Sequence, residues 1–238
     1  MVMPLPVGDQ DVRGAPTPWV LLALLALNVL LFVVEVTMPP AALEEFITRW
    51  GAVPAELSAG RRLETAITSM FLHGGWLHIF SNMLFLWIFA DNVEAALGHL
   101  GFLVFYLLGG IVAVAAQVLS DPGATIPSVG ASGALAAALG AYVVMFPAAR
   151  VRLMVLVGIF PLLVTRVTAI LFIGVWAVLQ FFNGIASLGA PTAQTAGVAY
   201  WAHIGGFVFG LLVGVLFRGR AADLHLERLP ERRRRTPF

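Results

Sequence analysis

The chain has 238 residues, of which 60% are hydrophobic and only 11% charged, and its mean hydropathy is +0.92. A soluble domain averages about 25% charged residues, so this composition excludes an ordinary water-soluble fold and points to a polytopic membrane protein. There is no cysteine, which removes disulfides, thiolate nucleophiles and thiolate metal sites, and the 14 basic residues that give a net charge of +1 are all arginine.

Residues 1–17 carry Asp9, Asp11 and Arg13. That is the wrong charge for a secretory leader, so the apolar run from Trp19 to Val36 is expected to be a retained helix. A bilayer-spanning helix needs about 20 apolar residues. Six stretches approach this: 18–37, 77–92, 100–119, 131–147, 166–186 and 199–217. The stretch 151–165, VRLMVLVGIFPLLVT, is apolar but short, contains Pro161 and is bounded by Arg150, Arg152 and Arg166. It is expected to be an interfacial segment on the cytoplasmic side. The expected fold class is therefore all-α, a bundle of six transmembrane helices. Residues 1–17 form a cytoplasmic N-terminal segment, 18–217 the transmembrane domain and 218–238 a basic cytoplasmic tail.

Six spans put both termini on one side, and arginine asymmetry chooses it. With the termini cytoplasmic, Arg13, Arg150, Arg152, Arg166, Arg218, Arg220, Arg228 and Arg232 to Arg235 are inside, 11 of 14, and Arg49, Arg61 and Arg62 are outside. The tail ERRRR reads as an anchor to anionic membrane lipid rather than as a nucleic-acid site. The sequence sets no oligomeric state.

Polar and ionisable side chains within spans are costly and mark function by default. Here they are Asn28, Glu35, His78, Asn82, Gln117, Gln180, Asn183 and His203, with Ser132 added because it lies between Gly130 and Gly133. Glu35 is placed near the outer end of its span, where it can reach the interface. Gln117, Gln180 and Asn183 lie near span ends and are assigned no role. His73 is read as structural, and His99 and His225 as loop and tail residues without a partner.

The fourth span is short. From Ser132 to Phe146 there are 15 residues, or roughly 22 Å at 1.5 Å each, against a hydrocarbon core of about 30 Å. This helix is expected to begin inside the membrane, beneath a water-accessible pocket, because irregular backbone at that depth must be buried in protein or line a cavity. Ser132 to Phe146 and His203 to Phe217 are each 14 residues apart, and His78 to Asp91 is 13. Each polar residue then stands about 20 Å from the cytoplasmic edge. Ser132, Ala136 and Gly140 on the fourth span, and Ala202, Gly206, Gly210 and Gly214 on the sixth, form small-residue stripes that permit close helix approach. Ser132 stands at a helix start, where backbone N–H groups lack partners and the dipole is positive. His78 and Asn82 are i and i+4 on one face.

These residues fall in GASGA at 130–134, HGGWLHIFSN at 73–82, DNVEAALG at 91–98 and AHIGGFVFG at 202–210. Together they resemble the rhomboid family of intramembrane serine proteases, and the opening PLPVGDQDV with LNVLLF is similar to its bacterial branch. The resemblance implies a rhomboid-like bundle in the bacterial cytoplasmic membrane, cleaving transmembrane segments of other proteins, with no cofactor and no metal. It implies Ser132 as nucleophile and His203 as general base, an oxyanion hole of His78, Asn82 and the Ser132 N–H, and supporting roles for Gly130, Gly133 and Gly206. It also implies that the fifth span is a lateral gate. The chain departs from the family at Glu64-Thr65, where many members have Trp-Arg, and at Ala136, where many have an aromatic residue stacked on the base.

Other readings are weighed against this one. A serine in a membrane helix usually bonds its own i−4 carbonyl. The G-x-S-x-G hydrolase pattern and the H-E-x-x-H zinc helix are both absent. No repeat suggests a transporter. An inactive rhomboid-like protein that binds transmembrane segments is the alternative that remains.

Overall fold

The computed structural model describes residues 2–157, 160–188 and 198–227. The tail arginines Arg228 and Arg232 to Arg235 lie outside the described residues. The chain is mostly helical. In order it forms strand β1 (Val2–Gly8), helices α1 (Trp19–Thr37), α2 (Pro40–Trp50), α3 (Pro54–Ser58), α4 (Thr65–Thr68), a 3-10 turn at Ser69–Phe71, α5 (Trp76–Leu97), α6 (His99–Ser120) and α7 (Ser132–Met145). Strands β2 (Arg150–Val157) and β3 (Phe160–Thr168) follow, then α8 (Ala169–Ser187) and α9 (Tyr200–Ala222).

Four described helices, α1, α6, α8 and α9, are long and apolar enough to cross a membrane, and α7 is apolar but only 14 residues long. Helix α5 has 22 residues but is interrupted by His78, Asn82, Asp91, Asn92 and Glu94. At its end Gly98, with φ +75°, adopts a left-handed conformation that glycine alone takes easily, and α6 starts on the next residue.

Helix α7 is the centre of the bundle. All its residues are buried except Ser132, Val143 and Val144. Its alanines and glycines let α9 pack backbone to backbone. A Cβ on Gly206 would overlap the Gly133 carbonyl oxygen, one on Gly210 that of Ala137, and one on Gly140 that of Phe207. The contact face of α7 is therefore Gly133, Ala137, Gly140 and Ala141, one residue on from the expected Ser132–Ala136 stripe. This rotation leaves Ser132 at the rim of the contact rather than inside it.

The all-α expectation fails at one end. Residues 151–157 and 160–165 are strand rather than helix, and they belong to an antiparallel sheet of order β1-β2-β3. Along β2, Val151 and Leu153 are buried while Arg150 and Arg152 are exposed, the period of two that a strand imposes. Pro161 lies in β3, an edge strand, where a missing N–H is tolerated. The expected fifth span, α8, consequently begins at Ala169, not 166, with its first N–H groups donating to the carbonyls of Ala149 (2.8 Å) and Pro147 (3.2 Å).

The N-terminal segment ties this end together. Asn92 on α5 donates to Asp9 Oδ2 (3.0 Å) and the Gln10 carbonyl (2.9 Å), and accepts from the Val12 N–H (2.8 Å). Tyr142 on α7 donates to the same Asp9 oxygen. Glu94 accepts the N–H groups of Val20 (3.0 Å) and Leu21 (2.8 Å) at the start of α1, where a carboxylate complements the helix dipole. It also meets His99 Nδ1 at 2.6 Å, a partner the sequence did not suggest.

Candidate active site

The loop before α7 is held by the segment that follows α1. Ala52 and Ser128 exchange both backbone hydrogen bonds (3.0 and 2.8 Å), and the Gly130 N–H donates to the Ser69 carbonyl (2.9 Å). That outer segment is itself anchored by Arg62, which donates to the carbonyls of Thr48 and Arg49, and by Thr68, whose hydroxyl donates to the Trp50 carbonyl (2.7 Å). At the departure Glu64-Thr65, Thr65 is buried and bonds back to the Arg62 carbonyl (2.8 Å), so small local bonds hold this part of the loop.

The loop delivers Ser132 as the first residue of α7. No side chain caps this helix, and the preceding Ala131 cannot supply one. The N–H groups of the first turn are thus left for an external acceptor. From α9, His203 places Nε2 at 2.8 Å from Ser132 Oγ. Both residues are half-buried.

His78 and Asn82 on α5 converge on Gly130. Its φ of +124° disfavours any side chain, and a Cβ there would lie 2.7 Å from His78 Nε2 and 3.5 Å from Asn82 Nδ2. His78 Nδ1 accepts from the Gly74 N–H (3.3 Å), so in the neutral ring the proton is on Nε2, facing the loop. Asn82 Nδ2 is buried with no hydrogen-bond partner among the described residues. The site therefore gathers a hydroxyl, an imidazole in contact with it, and a buried amide donor without a partner among the described residues.

Several polar residues are placed differently from the sequence expectation. Gln180 is no idle span-end residue: its Oε1 lies 2.8 Å from His203 Nδ1. Trp176, one turn earlier on α8, lies with its ring centroid 5.9 Å from that of His203, tilted by 37°. The aromatic neighbour of His203 thus comes from α8, while Ala136 is fully buried inside the bundle. Gln117 accepts the Ala202 N–H at 3.3 Å in the first turn of α9. Glu35 does not reach an interface. It is buried, and both its oxygens accept the His73 N–H at 3.2 Å. His73 stacks edge-on to His78 (5.2 Å), and burial pushes its imidazole down to about 4, which keeps it neutral. Two signals pointed to Gln180 and Glu35: both are polar groups within spans, and Gln180 is four residues from Trp176 and from Gly184. No group of three or more metal-ligating side chains occurs among the described residues.

A family model for the rhomboid domain matches residues 60–220. Rhomboid protease GluP of Bacillus subtilis is 28% identical over 218 residues, 85% of this chain and 41% of its own length. Rhomboid protein 1, mitochondrial, of Saccharomyces cerevisiae is 32% identical over 153 residues, 62% of this chain and 40% of its own. Presenilin-associated rhomboid-like protein A, mitochondrial, of Danio rerio is 27% identical over 154 residues, 61% and 35% respectively. The aligned regions span about two fifths of the length of these relatives.

Proposed function

The chain belongs to the rhomboid family, and from that premise we propose that it is an intramembrane serine endopeptidase that cleaves transmembrane segments of other membrane proteins. In this reading it crosses the bacterial cytoplasmic membrane six times with both termini inside, and α7 is the short central span. The observation that carries the proposal is the 2.8 Å contact of His203 Nε2 with Ser132 Oγ at the uncapped start of α7.

Ser132 Oγ attacks the scissile carbonyl carbon while His203 Nε2 takes its proton. The negative charge that develops on the carbonyl oxygen is received by the Ser132 N–H, Asn82 Nδ2 and His78 Nε2. Each such donor is worth about 2.7 to 4 kcal/mol when it is aimed at the transition state. His203 returns the proton to the leaving amine as the C–N bond breaks, and an acyl ester on Ser132 remains. A water molecule then attacks this ester, its proton passing to His203. The carboxyl product leaves as Ser132 regains a proton. His203 must be neutral to begin this sequence, so activity falls in acid. Constant turnover of a folded protein down to pH 4 would contradict that role.

The test is labelling of the detergent-solubilised protein with a fluorophosphonate, comparing wild type, Ser132→Ala and His203→Ala. Labelling of the wild type alone is the expected result. A folded wild type that does not react supports instead a family member that binds transmembrane segments without cutting them.

A further inference from the structure

A base that touches a hydroxyl through one ring nitrogen works only if that nitrogen is bare. In a neutral imidazole the other nitrogen must then hold the proton, and its hydrogen-bond partner decides whether it does. His203 faces Ser132 with Nε2 and Gln180 with Nδ1, both at 2.8 Å. The facing atom of Gln180 is the carbonyl oxygen Oε1, which can only accept. We propose that Gln180 is a positioning residue, the third member of a Ser132–His203–Gln180 relay, which holds the His203 proton on Nδ1 and leaves Nε2 free to take the proton of Ser132. The inference rests on the proposed peptidase reading for its catalytic consequence, but not for the proton position itself.

Three features of α8 support this. Trp176, Gln180 and Gly184 are spaced i, i+4, i+8 and form the stripe that meets α9. Trp176 lies against His203 and Phe207. A Cβ on Gly184 would lie 2.7 Å from Ile204 Cδ1, so glycine there lets the helices close on the amide. The remainder of α8 is lightly held, with Ala169, Ile173 and Gly184 its only buried residues. Charge offers no alternative orienter. Among the described residues α6, α7 and α8 present no ionised side chain to His203, and the titratable group facing it is His78 on α5. Ala136, one turn after Ser132 on α7, is fully buried and carries no ring that could fix the base. The contacts place that duty on α8.

The experiment is nitrogen NMR of detergent-solubilised protein carrying 15N-histidine, with His203 assigned by its loss in His203→Ala, alongside fluorophosphonate labelling rates across pH. Wild type should show a protonated Nδ1 and a bare Nε2. Gln180→Leu should populate both tautomers and slow labelling by roughly 10²-fold, the lower end of what a general base supplies, with the thermal midpoint unchanged. Gln180→Glu, which keeps the acceptor, should restore the Nδ1–H tautomer and move the acid limb of the labelling profile to higher pH, because a carboxylate favours the imidazolium. A structural role alone would move neither tautomer nor limb. A wild-type proton on Nε2, or a Gln180→Leu protein with the wild-type tautomer and rate, overturns the inference. A wild type that does not label but loses its fixed tautomer in Gln180→Leu refutes the peptidase reading and keeps the inference.

Discussion

The two ends of α7 handle polar groups in opposite ways. At the Tyr142 end, satisfaction is nearly complete. Asn92 makes three hydrogen bonds, Asp9 accepts from both Asn92 and Tyr142, and Glu94 closes the start of α1. Asp91 Oδ1 is the buried exception. At the Ser132 end the helix start is uncapped and Asn82 Nδ2 has no partner among the described residues. An unsatisfied buried donor costs about 1–3 kcal/mol. A fold that completes one network and leaves the other open bears that cost where an outside acceptor can remove it. One end stabilises the bundle, and in the proposed reading the other holds donors for the charge that develops on a substrate carbonyl.

Substitutions can break this contrast, and the largest effect should come from the packing that joins the two ends. Gly206→Leu places a side chain on the Gly133 carbonyl, which is backbone and cannot step aside. It should push α9 from α7, separate His203 from Ser132 and abolish labelling while the protein still inserts. Full labelling in that variant would rule out the close packing. Next in size is a paired comparison. Asn82→Ala should lower kcat by about 10²–10³-fold, the effect of losing an oxyanion donor, with no loss of thermal stability, because its Nδ2 bonds nothing. Asn92→Ala should do the reverse. It removes one of the two donors to Asp9, the donor to the Gln10 carbonyl and the acceptor of the Val12 N–H, and should cost about 1–3 kcal/mol for each group left unpaired, while the folded fraction keeps its labelling rate. If both variants lose stability equally, the two ends do not differ as described.

The parts of this arrangement that are legible in the sequence are those that a short motif or a residue count carries. Ser132 between glycines and His203 before Gly205-Gly206 stand out against an apolar background, since a bilayer makes every polar residue conspicuous. The shortness of α7 follows from its length alone. The sheet is not legible in the same way. Its strands pair β1 with residues about 150 positions away, and residues 153–157 and 162–164 are continuously apolar, so no alternation separates strand from span. The rotation of the α7 contact face by one residue was also hidden, because alanines and glycines fill both stripes. Gln180 is harder to read, because a lone glutamine near a span end has an easy route to water, and its spacing from Trp176 and Gly184 gains meaning from the contact with His203 Nδ1. Asp9 lies in the segment assigned to the cytoplasm, and nothing local in the sequence shows that it packs against Asn92 and Tyr142 and is buried.

The smallest expected effect is on pH, and there the two ends should pull in opposite directions. Burial pushes Asp9 up from 3.8 to about 7, although the hydrogen bonds from Tyr142 and Asn92 and the charge of Arg152 oppose this and Asp11 adds to it. Below its folded value Asp9 is protonated and sits in its pocket without a buried charge. The unfolded chain ionises it near 4, so between about 4 and 7 the folded state holds the extra proton. Its contribution to stability is therefore complete in acid, is lost as pH rises towards 7, and is constant above. The thermal midpoint in detergent should be higher at pH 5 than at pH 8, and Asp9→Asn, which cannot ionise, should reduce that difference. Wild-type and Asp9→Asn midpoints that respond identically to pH would show that Asp9 is not the group responsible. Labelling at Ser132 should instead fall in acid, where His203 takes up a proton and can no longer act as a base. Acid therefore favours the protonated Asp9 at one end of α7 and opposes the neutral His203 at the other.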